Sequence, residues 1–361
     1  MLRVRPSGSG HGVQCRPLPH GRGTVFVMPN LIHKLLVVGV GSIGERHLRC
    51  FLTTGRVEAV FVEVNPTLRQ TIAERYGVPG FASLEEALAT HPTLAVVAVP
   101  AHLHIEIATQ LAERGLHLLI EKPLSTSTTG VERLQQIVRE RNLTAGVAYV
   151  YRSHPLLTAM RAAIQEGRFG KPVELIAVSG QHFPTYRPAY RQIYYKDRAT
   201  GGGAIQDALT HVMNAGEWLL GPVERLVADA AHQVLEGVTV EDTVHLLARH
   251  GGVMASYSLN QHQAPNEFTL TIICERGAIR WESHLNRLSS MMATGGEWHE
   301  DRITPLERDT LFVRQANQFL TAVAEGTAPA CPLQDGLQTL RVNLAALASA
   351  DGAGWQTIHT T

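Results

Sequence analysis

Residues 35–40, LLVVGV, are an unbroken apolar run that ends by leading into Gly39-Val40-Gly41-Ser42-Ile43-Gly44. A run without polar alternation predicts a strand buried on both faces, and such strands lie in parallel sheets covered by helices. The pattern recurs at VEAVFVEV (57–64), LAVVAV (94–99) and HLLIE (117–121). Helical stretches fall between these runs, at about 67–76, at 105–112 with Ile105, Ala108, Leu111 and Ala112 on one face, and at 131–141, before a last strand, TAGVAYVY, at 144–151. Strands alternating with amphipathic helices, joined by right-handed crossovers, give an open doubly wound sheet.

The rhythm changes after residue 151. A helix at 155–165 precedes the strand VELIAVSG, and Gly201-Gly202-Gly203 opens a long helix to about residue 220. Residues 223–281 read mostly as consecutive strands with polar turns, which predicts an antiparallel sheet. Helices at 311–325 and 333–349 close the chain. The expected class is α/β. A Rossmann doubly wound parallel sheet occupies 30–150, and an α+β domain on a largely antiparallel open sheet occupies 151–361. Residues 1–29, rich in Gly, Pro and Arg, read as a disordered extension, with Met28 as an alternative initiator.

Charge and cysteine usage exclude several classes. Lys+Arg and Asp+Glu both number 32, so the basic excess of a nucleic-acid binder or a polybasic membrane anchor is missing. No apolar run reaches the roughly 20 residues of a membrane span, and the first residues lack the apolar core of a secretory signal. The 4 cysteines are far apart with no C-x-x-C, which argues against a disulfide scaffold or zinc knuckle and for a reducing cytoplasm. The histidines show no metal-ligand spacing, so no metal is expected; His91, His117, His250 and His262 read as ordinary surface or edge residues.

The G-x-G-x-x-G match gains force from its setting, between a buried strand and a helix. Gly39 permits the tight turn, Gly41 lets backbone approach a pyrophosphate, and Gly44 lets helix and strand pack closely. The phosphates would rest on the free N–H groups at the helix start, including those of Ser42 and Ile43. Glu63 lies 19 residues beyond Gly44, where an acid accepts from a ribose 2′-hydroxyl and repels a 2′-phosphate. NAD is therefore expected over NADP, with FAD and S-adenosylmethionine open on the fingerprint alone.

Five segments in order carry a resemblance: LVVGVGSIGERHL, VPAHLHIEIATQLAERGLHLLIEKP, GGGAIQDALTHVMNAGEWLLG, EDTVHLLARHGGVMASY and QDGLQTLRVNLAALASADG. Together they resemble the Gfo/Idh/MocA family of NAD(P)-dependent oxidoreductases, over nearly the whole chain from residue 34. The resemblance implies hydride transfer between a sugar, amino-sugar or cyclitol carbinol and the nicotinamide, with Lys122, Asp207 and His211 at the substrate. It implies that Pro100, His104 and Glu121 flank the cofactor, that Arg152 matches a family arginine, and that the second domain's sheet pairs in homodimers or homotetramers. Ala148 and Val150 depart from the Gly and polar amide common there, so no side-chain bond is expected from Val150.

Chemistry supports these positions independently. Asp207 and His211 are four apart on a predicted helix, so a carboxylate could orient an imidazole base. The plainer alternative is an acid at a helix start and a core histidine. Lys122 follows a buried strand at the carboxyl edge of the sheet, where α/β proteins place ligands, although a lysine in a loop is usually only solvated. In residues 182–203, Tyr186, Arg187, Tyr190, Arg191 and Tyr194 could stack on sugars or pair with carboxylates and phosphates, or merely pack a polar loop. Two rival functions remain: a glycoside hydrolase or lyase working by transient oxidation, and a non-catalytic dinucleotide sensor.

Overall fold

A computed structural model describes residues 32–292 and 294–359; the expected extension at 1–29 and Met28 lie outside them. The apolar runs become strands where the sequence places them. The first layer contains β1 (His33–Val38), α1 (Ser42–Thr53), β2 (Val57–Val62), α2 (Pro66–Tyr76), β3 (Gly80–Phe81), α3 (Leu84–Leu88), β4 (Leu94–Val97), α4 (His104–Glu113), β5 (His117–Ile120), α5 (Val131–Glu140) and β6 (Ala145–Val147). Among the described residues these strands form one six-stranded sheet, ordered β3-β2-β1-β4-β5-β6 and parallel throughout.

Register fixes the ligand edge. Val38 pairs with Val62 and with Val97, and Val97 pairs with Ile120. The next residues along these strands, Gly39, Glu63, Ala98 and Glu121, therefore emerge together at the carboxyl edge, the end at which open parallel sheets bind ligands.

The second layer contains α6 (Pro155–Gln165), β7 (Pro172–Gly180), α7 (Phe183–Tyr186), α8 (Thr210–Leu220), β8 (Arg225–Ala231), β9 (Thr243–His250), β10 (Val253–Asn260), β11 (Glu267–Cys274), β12 (Gly277–Glu282), β13 (Arg287–Met291), β14 (His299–Arg302), α9 (Thr310–Glu325), α10 (Leu333–Ala348) and β15 (Gln356–Thr357). Its nine strands, among the described residues, run β14-β13-β12-β11-β7-β10-β9-β8-β15, antiparallel except for the β7–β10 pair. Alternation sorts the two faces. Leu175, Ala177, Leu246, Tyr257 and Leu270 pack against α6 and α8, while Ile176, Val178, Leu247 and Met254 point outward.

Three features escaped the sequence. β3 and α3 are too short to show a period. The strand expected at 144–151 stops at Val147, and Val150–Ser153 turn as a 3₁₀ segment. His250, expected at a surface or edge, is buried, its ring nitrogens 2.7 Å from Gly221 O and 2.8 Å from Tyr257 Oη.

The chain's end also returns to the first layer. Asp309, just before α9, accepts from Arg46 at 3.0 Å and Arg49 at 2.6 Å, both on α1. Phe319 packs edge-on to Phe51, and Leu333, Leu337 and Leu340 share a core with Leu118, Ile120 and Val147. No helix among the described residues is long and apolar enough to cross a membrane. Phe319→Ala should destabilise the fold by about 3–5 kcal/mol, read as a lower midpoint in urea, because it opens a void beneath α1; a change under about 1 kcal/mol would show that α9 is only loosely attached.

Candidate active site

The glycine turn is built as the fingerprint requires. Gly39 holds φ +84°, and a Cβ on Gly44 would collide with the Gly39 carbonyl, so α1 sits directly on the strand end. A Cβ on Gly41 would meet nothing within 4 Å, which leaves open space over the start of α1. That helix has no side-chain cap, so its first N–H groups, those of Ser42 and Ile43 among them, remain for a ligand's phosphates. Glu63 stands beside this opening. Its carboxylate accepts from Val40 N at 3.2 Å and Asn65 N at 2.9 Å, which fixes its position and leaves further lone pairs for ribose hydroxyls. The cradle fits a dinucleotide.

Beneath it lies a buried contact between an imidazole and a carboxylate. His47 Nε2, on the inner face of α1, is 2.6 Å from Glu121 Oε1, and Glu121 Oε2 accepts the Lys122 N–H at 2.9 Å. Burial alone would raise the Glu121 carboxyl; the His47 contact and the Lys122 charge overcome that and hold it below its ordinary value. Both Glu121 oxygens are thus occupied within the protein. Glu121 thereby holds the backbone from which the Lys122 side chain leaves. His104 is buried, with its ring nitrogens 3.0 Å from Pro123 O and 2.7 Å from Val99 O, so it braces the two strand ends; Pro100 beside it is exposed.

Lys122 joins the two layers. Its Nζ donates to Asp207 O at 2.7 Å and to Asp207 Oδ1 at 3.2 Å, and Tyr194 Oη donates to the same Oδ1 at 2.6 Å. Burial would raise the Asp207 carboxyl, but Lys122, Tyr194 and the charge of Arg187 hold it down, so it is ionised. Asp207 lies in a wide π-type turn, Ile205–Leu209, immediately before α8. In such a turn the backbone bonds run five residues instead of four. The Asp207 carboxylate, expected to orient His211, accepts from Lys122 and Tyr194 and makes no hydrogen bond to His211 among the described residues.

His211 sits among rings, with centroids 5.9 Å from Tyr149 and 5.2 Å from Tyr151, and its buried Nδ1 has no partner among the described residues. Burial, then the Lys122 charge, push it down to about 3, so the imidazole is neutral.

The remaining candidates divide. Tyr194 reaches Asp207, and Tyr186 is exposed. Tyr190 is buried with Phe183 and Tyr195, its hydroxyl donating to Glu236 O at 2.7 Å; Arg191 donates to the same carbonyl at 2.8 Å. These two hold the loop rather than join the group at Asp207. Arg152 is buried, donating to Asn214 Oδ1 at 2.9 Å and Asp335 Oδ2 at 2.5 Å, a brace between α8 and α10. Sequence reasoning missed His47; its only signal was an imidazole on the inward face of the fingerprint helix.

Comparison with known proteins identifies the family and its cofactor. A family model described as an oxidoreductase family with an NAD-binding Rossmann fold matches residues 33–149, and the Gfo/Idh/MocA C-terminal domain model matches 157–280. Levoglucosan dehydrogenase of Pseudarthrobacter phenanthrenivorans is 25% identical, covering 88% of this chain and 96% of that protein. Inositol 2-dehydrogenase of Corynebacterium glutamicum is 26% identical, over 82% and 87%. A solved levoglucosan dehydrogenase in complex with NADH superposes with a TM-score of 0.84 at 21% identity, covering 91% of this chain and 100% of that one. The chain belongs to the Gfo/Idh/MocA family of oxidoreductases, and its first layer is that family's NAD-binding Rossmann fold.

Proposed function

We propose that the protein moves a hydride between a carbinol carbon of a sugar, amino sugar or cyclitol and NAD, with Lys122, Asp207 and His211 around the reacting oxygen. The observation that carries this reading is the contact of Lys122, at the end of β5 beside the dinucleotide cradle, with Asp207 at the mouth of α8. Bound NAD supplies the hydride acceptor, or the donor in reverse.

The chain's own residues handle the oxygen and its proton. An ammonium has three N–H donors. Lys122 directs two at Asp207, which leaves one for the substrate oxygen and its developing negative charge. His211, held neutral, can take the hydroxyl proton at a ring nitrogen, and the carboxylates of Asp207 and Glu121 offset the cost of its positive charge. Tyr194 keeps Asp207 in place and extends the polar wall. The outward residues Ile176, Val178, Leu247 and Met254 of the second sheet are the surface on which copies of the chain would pair, and a cytoplasmic setting suits the free thiols.

His211→Asn should leave NAD binding nearly intact and abolish turnover of polyols followed at 340 nm, while Lys122→Met should lower kcat by about 10²–10³-fold; normal turnover by His211→Asn would assign the base elsewhere. The same assay separates a dehydrogenase from a redox-assisted hydrolase, which would retain its cofactor and show no net reduction.

Glu63→Ala should erode the preference for NAD, narrowing the NAD to NADP ratio of kcat/KM by tenfold or more (about 1.4 kcal/mol). An unchanged ratio would remove Glu63 as selector.

The pH profile tests the state of His211. Its folded value, about 3, lies below the ordinary 6.5. The neutral ring therefore persists as pH falls through 6.5 and is lost only near the lower value. kcat/KM should accordingly show no His211 limb between about pH 5 and 8, because that ratio reports the free enzyme. A limb near 6.5 that disappears in His211→Asn would contradict this.

A further inference from the structure

We infer that Tyr151 is a further substrate-binding residue, whose phenol hydrogen-bonds a hydroxyl of the polyol other than the reacting one. The inference rests on the reading of Lys122, Asp207 and His211 as the groups around the reacting oxygen.

Tyr151 lies in the 3₁₀ segment that follows β6, and its neighbours pin that segment to α8. Tyr149 Oη is 2.9 Å from Thr210 Oγ1 at the start of the helix, and Arg152 Nε donates to Asn214 Oδ1 at 2.9 Å farther along it. The backbone of Tyr151 is therefore held against the helix that carries His211.

The Tyr151 ring is clamped by three others. Phe268 stacks on it with centroids 5.4 Å apart and planes 29° apart, Trp281 stands edge-on at 5.6 Å, and His211 lies tilted at 5.2 Å. Phe268 and Trp281 are buried in the second layer's core, whereas Tyr151 is only partly buried. The ring is thus taken up by protein, and the polar end is what remains for a ligand. Its hydroxyl makes no hydrogen bond among the described residues and, unlike His211 Nδ1, is not sealed from solvent. A phenol in so apolar a setting ordinarily finds a partner. Burial pushes it up to about 12, so it keeps its proton and can donate.

His211 Nε2 is also open and without a partner among the described residues. A polyol that presents one hydroxyl to that nitrogen carries others on the adjoining carbons. Two tyrosine rings flank His211, and Tyr149 spends its hydroxyl on Thr210, which leaves Tyr151 to meet them. The reacting oxygen already has Lys122 and His211. A donor fixed in advance by packing loses little freedom on binding, and a ligand lacking the matching hydroxyl leaves that donor unpaired.

Calorimetric titration of the NADH-loaded protein with myo-inositol, levoglucosan and D-glucose tests this on wild type and Tyr151→Phe, beside kcat and KM for NAD reduction at 340 nm. Phenylalanine keeps the ring in its clamp and removes only the oxygen. For at least one polyol, Tyr151→Phe should weaken binding about tenfold. The loss should fall on KM more than on kcat, with NADH affinity unchanged. The same weakening should appear in the His211→Asn background, where binding is read without turnover. Equal polyol affinity in wild type and Tyr151→Phe overturns the inference, as does binding of none of the three polyols to wild type. An equal loss of NADH affinity would make the role structural and overturn it too. A fall in kcat with affinity unchanged would put the phenol on the reacting oxygen and overturn it likewise. Weakened polyol binding in Tyr151→Phe, with no reduction of NAD by wild type, would keep the Tyr151 contact and reject the oxidoreductase reading of the site.

Discussion

The contact between His47 and Glu121 organises the site more than any other. A carboxylate buried this deeply is costly to ionise unless it is paired and hydrogen-bonded. Glu121 meets both conditions, with His47 on one oxygen and the Lys122 N–H on the other. The pair therefore locks three things together: α1, whose start forms the phosphate cradle; β5, which ends at Glu121; and the backbone from which the Lys122 side chain leaves. Displacing any one of them would strand a buried charge. The distance between cradle and ammonium is thus a property of the core, not of a loop.

The second layer reaches the same precision with a polar seam. Tyr149 Oη is 2.9 Å from Thr210 Oγ1, which also accepts from Asn343, while Asn214 donates to Thr339, which donates in turn to Glu217. Burial pushes Glu217 up to about 7 even so, although Thr339 and Gln338 donate to it. These bonds fix α8 against α10 in one register, and α8 carries His211. A core of apolar contacts alone would tolerate sliding; directional bonds that must all be satisfied would not.

The legible part of this architecture was the part with local periodicity. The continuous apolar runs gave β1, β4 and β5, and the fingerprint with Glu63 gave the cradle, because both depend on neighbouring residues. The Lys122 and Asp207 positions were legible through their motifs. Their contact was not, because it spans 85 residues and depends on how two layers meet. The expected Asp207 and His211 hydrogen bond gives way to other partners: Lys122 and Tyr194 take the Asp207 carboxylate, and no spacing within the helix announces either of them. Arg152, Tyr190 and Arg191 look functional in sequence because arginine and tyrosine carry polar handles, yet here those handles serve Asp335, Asn214 and Glu236. Partner choice, not residue type, separates them from Tyr194.

The π turn itself has a cause that can be traced. Glu241, just before β9, is buried; its Oε1 accepts from Ile205 N at 3.2 Å and its Oε2 from Arg198 at 2.8 Å. Gly203, at φ +86°, passes so close to this carboxylate that a Cβ would overlap it. The chain is therefore pinned at Ile205 before the helix begins, while α8 is held from the other side by its seam with α10. The segment between the two anchors takes up the extra residue as the wider turn, and Asp207 lies in that segment. Its place beside Lys122 thus depends on Glu241 and α10 as well as on the helix itself, and the close approach to Glu241 is what requires glycine at 203.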